Sequence, residues 1–221
     1  MPEEVARVLI DQGLGQGYTF TTETGVYGGL PAPGIFFGAA INPTRMESSA
    51  WMFDLYAERL AVAVLGFLQV DAAGNVNVSK RGPRIVDNVG PGSLPYIAAS
   101  AKTVIFVGSW MMQAQFAVEK NALKIKKAGK PKFVGAVDEI TLSGRAALRQ
   151  GKQVYFVTHV GILQLTARGL TLIEVMPGID IAHDILSNQA PRIVLPEDGQ
   201  VRVADASIVT GAGFKLPMER R

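Results

Sequence analysis

The sequence contains no cysteine and only two histidines among its 221 residues. The absence of cysteine excludes disulfides, thiolate nucleophiles and metal sites built on sulfur. The two histidines, His159 and His183, lie too far apart in the chain for a local metal-ligand spacing, so no metal site is predicted. Any covalent chemistry must therefore use a hydroxyl, an amine or a carboxylate.

Charged residues are also sparse, at 19%, while hydrophobic residues reach 48% and the mean hydropathy is +0.21. This balance favours strands that are buried on both faces, as in a parallel sheet, and would suit a large subunit interface. The small net charge of +3 is spread along the chain, which argues against nucleic-acid binding. No apolar run approaches the ~20 residues that span a bilayer, and the start MPEEVARVLIDQG lacks the basic region of a secretory signal. We therefore expect a cytoplasmic protein without a membrane segment.

The hydrophobic pattern predicts one α/β domain over residues 1–221, with an extended tail over 196–221. Its fold class would be an open, mostly parallel sheet with flanking helices and attached antiparallel hairpins. Helices are expected at 3–13 and 180–188, where Asp180 is a plausible N-cap, and residues 48–56 could be helix or loop. Hairpins are expected around residues 119–121 and 167–169. The remaining predicted strands are 18–22, 62–70, one that starts at 76–78, 103–107, 137–142, 154–157, 201–203 and 207–209.

One segment, TTETGVYGGLPA over residues 21–32, carries the features of a reactive site. A lone glutamate, Glu23, ends a β-rich stretch and is followed by glycines and apolar residues. A carboxylate at the carboxyl end of a strand lies where α/β sheets bind ligands, and apolar surroundings would strengthen it as a base or nucleophile. The glycines would let backbone amides approach a substrate and donate to a developing oxyanion. The residue types alone leave a second interpretation open, in which Glu23 is a surface residue and the glycines only shape a turn.

The longer run TTETGVYGGLPAPGIFFGAAINP resembles the active-site signature of family I coenzyme A transferases, in the carboxy-terminal half of acetate, propionate and 3-oxoacid CoA transferases. Further blocks resemble that half in the same order, from residue 3 to about residue 195, and include Ser143-Gly144-Arg145 and Met176-Pro177-Gly178. The signature positions present here are Glu23, Gly25, Gly28, Gly29, Pro31, Ala32, Gly34, Phe37, Gly38, Ala39, Asn42 and Pro43.

The resemblance implies a CoA transferase that moves CoA between an acyl-CoA and a carboxylic acid through a glutamyl-CoA thioester on Glu23. It implies no permanently bound cofactor, coenzyme A being a substrate. It also implies an alpha-type partner subunit, because the chain starts inside the first helix of the family's half and lacks the preceding strand. The substrate and CoA pocket would be lined by Gly25, Gly28, Gly29, Gly34, Gly38 and Asn42.

Two segments depart from the family pattern. Ala57-Glu58-Arg59 stands where the family has a glycine-rich loop, and Met111-Met112-Gln113-Ala114-Gln115 replaces a Thr-Ala-Gly-Gly-like stretch. Glycines beside a ligand allow close approach of the backbone, so both changes bear on the acyl pocket. Two other functions therefore stay open: an acyl-CoA hydrolase, if water reaches the intermediate, and a non-catalytic partner subunit.

The other ionisable residues carry weaker signals. His159 follows a predicted strand, where a histidine without a motif is more often structural than a general base. The basic run Lys124, Lys126, Lys127, Lys130 and Lys132 could meet CoA phosphates, but such a run is more often the solvated face of a hairpin.

Overall fold

The computed structural model describes residues 2–187 and 191–216. The chain divides into two compact units, residues 1–61 with 215–221 and residues 62–214. Within the described ranges, no helix combines the length and the apolar character needed to cross a bilayer.

The first unit consists of two helices joined by a long loop, and the two halves of this loop, which we call its arms, pair antiparallel. The helices are α1 (Pro2–Asp11) and α2 (Ser49–Arg59), and a 3₁₀ turn (Gly15–Gly17) follows α1. Strands β1 (Val26–Tyr27) and β4 (Arg45–Met46) pair antiparallel, and β2 (Leu30–Pro31) pairs with β3 (Ala40–Ile41) inside them. We call residues 21–47, which contain both pairs, the glycine loop. At the start of α2 the Ser48 side chain accepts a hydrogen bond from the Trp51 amide at 3.2 Å, which satisfies a free amide of the first turn.

The second unit is an α/β structure. Its helices are α3 (Leu94–Ser100), α4 (Gly144–Arg149) and α5 (Ala206–Thr210), with a 3₁₀ turn at Ile85–Asp87 and a π-helical turn at Ile181–Leu186. Its strands in chain order are β5 (Val62–Gly66), β6 (Gln69–Val70), β7 (Val76–Asn77), β8 (Thr103–Val107), β9 (Met111–Met112), β10 (Gln115–Glu119), β11 (Ala122–Lys127), β12 (Lys130–Pro131), β13 (Gln153–Val157), β14 (Gly161–Thr166), β15 (Gly169–Val175) and β16 (Arg202–Val203).

Six of these strands form one sheet in the order β16-β15-β14-β13-β8-β5. The pairs β5–β8, β8–β13 and β15–β16 are parallel, and the pairs β13–β14 and β14–β15 are antiparallel. The other strands form two-stranded ribbons, β6–β7, β9–β12 and β10–β11. The predicted open, mostly parallel sheet with attached hairpins is therefore confirmed.

Aromatic side chains build the core at one end of this sheet. Phe106 and Phe156 face each other in register on β8 and β13, and their rings stack with centroids 5.5 Å apart. Phe67 and Phe133 meet them edge to face, and Trp110 lies 4.6 Å from Phe133 between centroids. Full burial of each such ring stabilises the fold by about 1.5–3 kcal/mol.

Several predicted elements need correction. The strand predicted at 62–70 is two strands, since β5 ends at Gly66 and β6 turns into a separate hairpin with β7. Residues 18–22 supply only an isolated bridge from Thr21 to Tyr27, and within 137–142 only Leu142 makes a bridge, to Val76. The strand predicted at 207–209 is helix α5, which begins where the Asp205 carboxylate accepts from the Ser207 amide.

Other predictions hold. The hairpin predicted around 119–121 is β10–β11, whose turn places Lys120 and Asn121 at positive φ. The hairpin around 167–169 is β14–β15. Asp180 caps the turn that follows, although the turn is π-helical and the last residue of the predicted helix, Asn188, lies outside the described residues.

Candidate active site

Glu23 lies in a tight turn at the base of the glycine loop. The Gly25 amide donates to the Thr22 carbonyl at 3.2 Å, and the Thr22 amide donates to the Val26 carbonyl at 3.0 Å. The Glu23 side chain is partly buried, so the turn presents it without extending it into solvent. No ion pair among the described residues involves Glu23. Within residues 2–187 and 191–216, the Glu23 carboxylate thus lacks the paired cation that would most weaken it as a nucleophile.

A buried tyrosine of α2 stands close to this carboxylate. Tyr56 is only 4% exposed, and its hydroxyl is hydrogen-bonded to that of Thr21. Burial raises the pKa of Tyr56 above its ordinary value, the negative charge of Glu23 raises it further, and the bond to Thr21 opposes the rise. Tyr56 thus stays a neutral hydroxyl beside Glu23 at physiological pH. Sequence reasoning missed this tyrosine, because nothing local indicates that α2 returns to residues 21–23.

Three of the predicted pocket glycines lie where the two arms of the glycine loop meet. Gly25 has φ +108°, and a Cβ there would lie 1.9 Å from the Glu47 carbonyl oxygen, so only glycine fits. The Gly28 amide donates to the Phe20 carbonyl at 2.8 Å. That amide is therefore not available to an oxyanion, which corrects one expectation for Gly28. For the Gly29 amide, the described residues supply no backbone acceptor.

The remaining predicted pocket residues have different surroundings. The Gly38 carbonyl accepts from the Thr22 hydroxyl at 2.9 Å and also from Thr24, so Gly38 lies against the Glu23 turn. Asn42 is exposed, and its carbonyl lies beside Gly29 on the opposite arm. Gly34 starts a 3₁₀ turn at the tip of the loop, where its α-carbon faces open space. The next three side chains are strongly exposed and apolar: Ile35, Phe36 and Phe37.

A cleft of about 340 Å³ separates the glycine loop from α2. It is lined by Tyr27, Arg45, Trp51, Asp54, Leu55, Glu58 and Arg59. The Arg45 guanidinium lies 4.8 Å from the centre of the Trp51 ring and pairs with Glu47 at 2.6 Å. The departure at residues 57–59 is thus the last turn of α2, and it supplies two charged side chains to the wall of this cleft.

The second departing segment lies in the other unit. Met111–Met112 is strand β9, which pairs antiparallel with β12. Gln113 follows with φ +60°, a conformation that glycine adopts more readily. The segment thus makes a turn that carries larger side chains than a glycine-rich stretch would.

The second unit also contains a buried lysine, for which the sequence-based expectation is wrong. Lys132 was predicted to belong to the solvated hairpin face, but it is only 6% exposed, while Lys124, Lys126, Lys127 and Lys130 are exposed. Its ammonium donates to the Phe67 carbonyl and lies 3.9 Å from the centre of the Phe67 ring. Burial lowers the pKa of Lys132 to about 8.

His159 lies near this lysine. Its ring stacks on Phe116 with centroids 4.8 Å apart, while the residue as a whole remains exposed. Partial burial of the imidazole lowers the pKa of His159, and the positive charge of Lys132 lowers it further. The sequence gives little sign that Lys132 is buried. The apolar Phe133 follows it directly, but side chains alternate between the two faces of a strand, so this neighbour would predict that Lys132 faces solvent.

Comparison with known proteins agrees with this architecture. A caffeate CoA-transferase of Acetobacterium woodii is 37% identical over 190 residues, which cover 84% of this chain and 36% of that protein. The crystal structure of the acyl-CoA transferase YdiF apoenzyme from Escherichia coli O157:H7 matches with a TM-score of 0.86 and 30% identity, over 98% of this chain and 41% of that one. A thioester complex of YdiF with CoA matches with a TM-score of 0.84. No protein-family model matches the chain.

A more distant likeness shows the fold alone. A single-residue variant of the decarboxylase AibA/AibB matches with a TM-score of 0.69 at 14% identity, over 94% of this chain and 82% of that one. This fold therefore also occurs in a protein named for a different reaction. The chain spans about two fifths of the length of the CoA transferases that it matches. The signature around Glu23, the mostly parallel sheet and the similarity to named CoA transferases together establish that the chain belongs to the family I coenzyme A transferases.

Proposed function

We propose that this chain is the glutamate-bearing, beta-type part of a CoA transferase that moves CoA between an acyl-CoA and a carboxylic acid, with Glu23 as the nucleophile. The observation that carries this proposal is the Glu23 turn. There a carboxylate that pairs with no cation of the described ranges stands beside the neutral hydroxyl of Tyr56, inside the family's signature. The thioester complex of YdiF with CoA supports coenzyme A as the ligand class.

The proposed reaction starts when a Glu23 carboxylate oxygen attacks the carbonyl of an acyl-CoA. The carbon–sulfur bond breaks, which leaves CoA thiolate and an acyl-glutamyl anhydride. The thiolate then attacks the glutamyl carbonyl, so the first carboxylate leaves and a glutamyl-CoA thioester forms. A second carboxylate takes the CoA by the reverse steps, and Glu23 is restored. Several easier steps through covalent intermediates thereby replace one difficult step.

The residues around Glu23 would act by position and by exclusion of water. The hydroxyls of Thr22 and Thr24 tie the turn to Gly38, which fixes the direction of the carboxylate. The Tyr56 hydroxyl can donate to the carboxylate and orient one oxygen for attack. The Gly29 amide, which finds no backbone acceptor in the described part of the chain, is the donor that we assign to the developing oxyanion. Water must stay out, since the anhydride would otherwise hydrolyse.

We also propose an alpha-type partner that completes the site. The chain matches only 36–41% of the length of its relatives, and the exposed apolar tip at Ile35, Phe36 and Phe37 is typical of a surface that another protein segment covers. The same partner would help to exclude water from the anhydride.

The test is acyl exchange with the alpha-type part co-expressed. The enzyme receives acetyl-CoA and labelled propionate, and both propionyl-CoA and free CoA are followed. We expect propionyl-CoA from the parent, none from Glu23→Gln, and parental rates from the matched control Glu197→Gln, whose side chain is 86% exposed. Mass spectrometry should also show CoA attached to Glu23 when acyl-CoA is supplied alone.

Other results would redirect the proposal. Free CoA without propionyl-CoA would favour the acyl-CoA hydrolase. In that case water would reach the anhydride through the cleft, whose wall carries the charged side chains of Glu58 and Arg59. A folded complex that exchanges equally well after Glu23→Gln would instead make this chain a non-catalytic subunit.

A further inference from the structure

A cavity of about 400 Å³ lies in the second unit, around the start of β15. It is lined by Ala72, Arg168, Gly169, Arg192 and Val194. Three of these residues are small and uncharged, two are arginines, and within the described structure no carboxylate belongs to the lining. A cavity of this volume can hold a small organic molecule. The two arginines predict that this molecule is an anion.

The cavity lies at the sheet edge opposite the carboxyl ends of the parallel strands. Strands β13 and β14 are antiparallel, with Val157 opposite Ile162 and Tyr155 opposite Gln164. The turn after β14, which contains Arg168, therefore lies beside the amino end of β13, where β8 and β5 also start. Open α/β sheets bind their usual ligands at the carboxyl edge of the strands. The cavity is thus a separate feature of the second unit.

The backbone of both arginines is held against β15. The Thr166 hydroxyl oxygen accepts a hydrogen bond from the Arg168 amide at 3.1 Å, which fixes the turn. Arg192 lies two residues before Val194, whose amide and carbonyl make hydrogen bonds of 2.8 and 2.9 Å to β15. Anchored backbones lower the entropy cost of directing both side chains to one ligand.

Neither guanidinium is neutralised by a close carboxylate of the described residues. Arg168 lies 3.8 Å from Glu197, a long separation for an ion pair, and the Glu197 side chain is 86% exposed. An exposed pair of this length contributes little. Arg192 is exposed and forms no ion pair within residues 2–187 and 191–216. Both arginines can therefore turn to an anion in the cavity.

We propose that this cavity binds a phosphate monoester that carries a small apolar group, as a second ligand beside the acyl-CoA. Arg168 and Arg192 hold the phosphate, and Ala72, Gly169 and Val194 contact the apolar group. A phosphate monoester is a dianion above about pH 6, so it balances both guanidinium groups, and its oxygens can accept from both. A carboxylate has one charge and two oxygens, which a single guanidinium already satisfies.

The proposal does not rest on Glu23. It concerns residues of the second unit alone, and its test measures binding without acyl transfer. Failure of the exchange reaction and failure of this site are therefore separate results. Coenzyme A carries phosphate groups of its own, so the test must also separate CoA from a smaller phosphate ester.

The test is calorimetric titration of the full 221-residue chain with phenyl phosphate at pH 7.5 and constant ionic strength. We expect saturable binding of one molecule per chain. Benzoate, which has the same ring and a single charge, should bind at least about tenfold more weakly, since it engages one guanidinium instead of two. Excess CoA should leave the affinity for phenyl phosphate unchanged.

Two pairs of variants then assign the site. Arg192→Gln should weaken the binding of phenyl phosphate about tenfold or more, while Arg149→Gln, at an exposed position outside the cavity, should leave it unchanged. Ala72→Leu should fill the space for the ring and weaken phenyl phosphate about tenfold, with little effect on inorganic phosphate. Ala73→Leu, the next residue of the same turn, is its control and should bind as the parent does.

The titrations and variants can each overturn the proposal. It is wrong if phenyl phosphate gives no saturable binding, if benzoate binds as tightly, or if CoA displaces the probe. It is also wrong if a cavity variant and its control bind alike. The parent titrations need no variant, and Ala72→Leu keeps both arginines, so the test does not depend on the folding of any one substituted chain.

Discussion

The glycine loop around Glu23 and the carboxyl ends of strands β5 and β8 around Lys132 each hold a charged group that has no ion-pair partner among the described residues, but the two regions are built differently. Glu23 is fixed by residues close to it in the chain, such as Gly25 and Gly38, together with Tyr56 from the next helix. Lys132 is fixed by the ends of strands that lie far from it in the chain. The first site can be recognised from contiguous sequence, and the second exists only once the sheet has formed.

The difference also sets what each group can do. Glu23 is partly buried in a turn with defined hydroxyl neighbours, a setting that suits a nucleophile which must reach a substrate. Lys132 is held against an aromatic ring and a carbonyl, so its charge is costly, and the chain retains it at the expense of stability.

The largest expected effect tests whether the glycine loop needs glycine where its two arms come into close contact. Gly25→Ala should destabilise the first unit by about 3 kcal/mol or more, because its Cβ would collide with the Glu47 carbonyl at a positive φ. Gly34→Ala, which meets open space at φ +64°, is the matched control and should cost only about 1 kcal/mol. Urea unfolding of both variants measures this, and equal losses would show that the arms do not meet as described.

The next effect tests the cost of the buried lysine. Native Lys132 loses its proton near pH 8, but in the unfolded chain it keeps it until about pH 10.5. Between these values the unfolded state binds more protons, so stability rises with pH, by up to about 3 kcal/mol for this group.

The measurement for Lys132 is the unfolding free energy from about pH 7 to 10, the window in which the two states differ in protonation. Lys132→Met should remove this rise and should be more stable than the parent at neutral pH, while Lys130→Met, at an exposed position, should keep the parental slope. A parental slope in Lys132→Met would show that the ammonium is well solvated.

A smaller effect is expected when the hydroxyl beside the Glu23 carboxylate is removed. Tyr56→Phe removes the hydroxyl beside the carboxylate but keeps the ring, so we expect kcat for acyl exchange to fall about tenfold, with KM nearly unchanged. Tyr18→Phe, at a position that is 59% exposed, is the control and should have no effect. A fall in stability instead of kcat would assign Tyr56 to packing alone.

The smallest effect tests how α2 is held. Ser48→Ala removes the side-chain cap on the Trp51 amide and should cost about 1 kcal/mol. Ser49→Ala, one residue further on, should change stability by less than about 0.5 kcal/mol. Thermal unfolding of the two variants gives the comparison, and it also shows whether an intact α2 start is needed for Tyr56 to remain buried.

Much of the second unit could be predicted from its sequence. The strands at 103–107 and 154–157 are short apolar runs of β-branched and aromatic residues, and the structure confirms both as β8 and β13. The hairpins at 119–121 and 167–169 have clear turn residues. The prediction failed at 207–209, where Ile208 and Val209 favour a strand, but the Asp205 cap starts a helix.

The structure of the first unit was predicted less well, and the function assigned to Glu23 stays a prediction. Residues 18–22 form one bridge instead of the expected strand, because the neighbouring residues belong to β1 and β2, which pair with the other arm of the loop. These short strands lie between glycines, so the sequence pattern does not reveal them. The signature nevertheless located Glu23. Its assigned glycines prove to be of two kinds, since Gly25 is needed by the fold of the loop itself, whereas Gly34 faces open space.

The sequence by itself determined the family, the α/β class and the candidate nucleophile, because these depend on local patterns: short apolar runs, turn residues and a contiguous signature. Only the tertiary structure decided that Tyr56 stands beside Glu23, that residues 57–59 end a helix, and that Lys132 is buried at a strand edge. Such facts depend on which distant segments meet. Whether a side chain is buried, and which charged groups lie near it, depends on contacts between segments that are distant in the chain, so a single stretch of sequence does not contain this information.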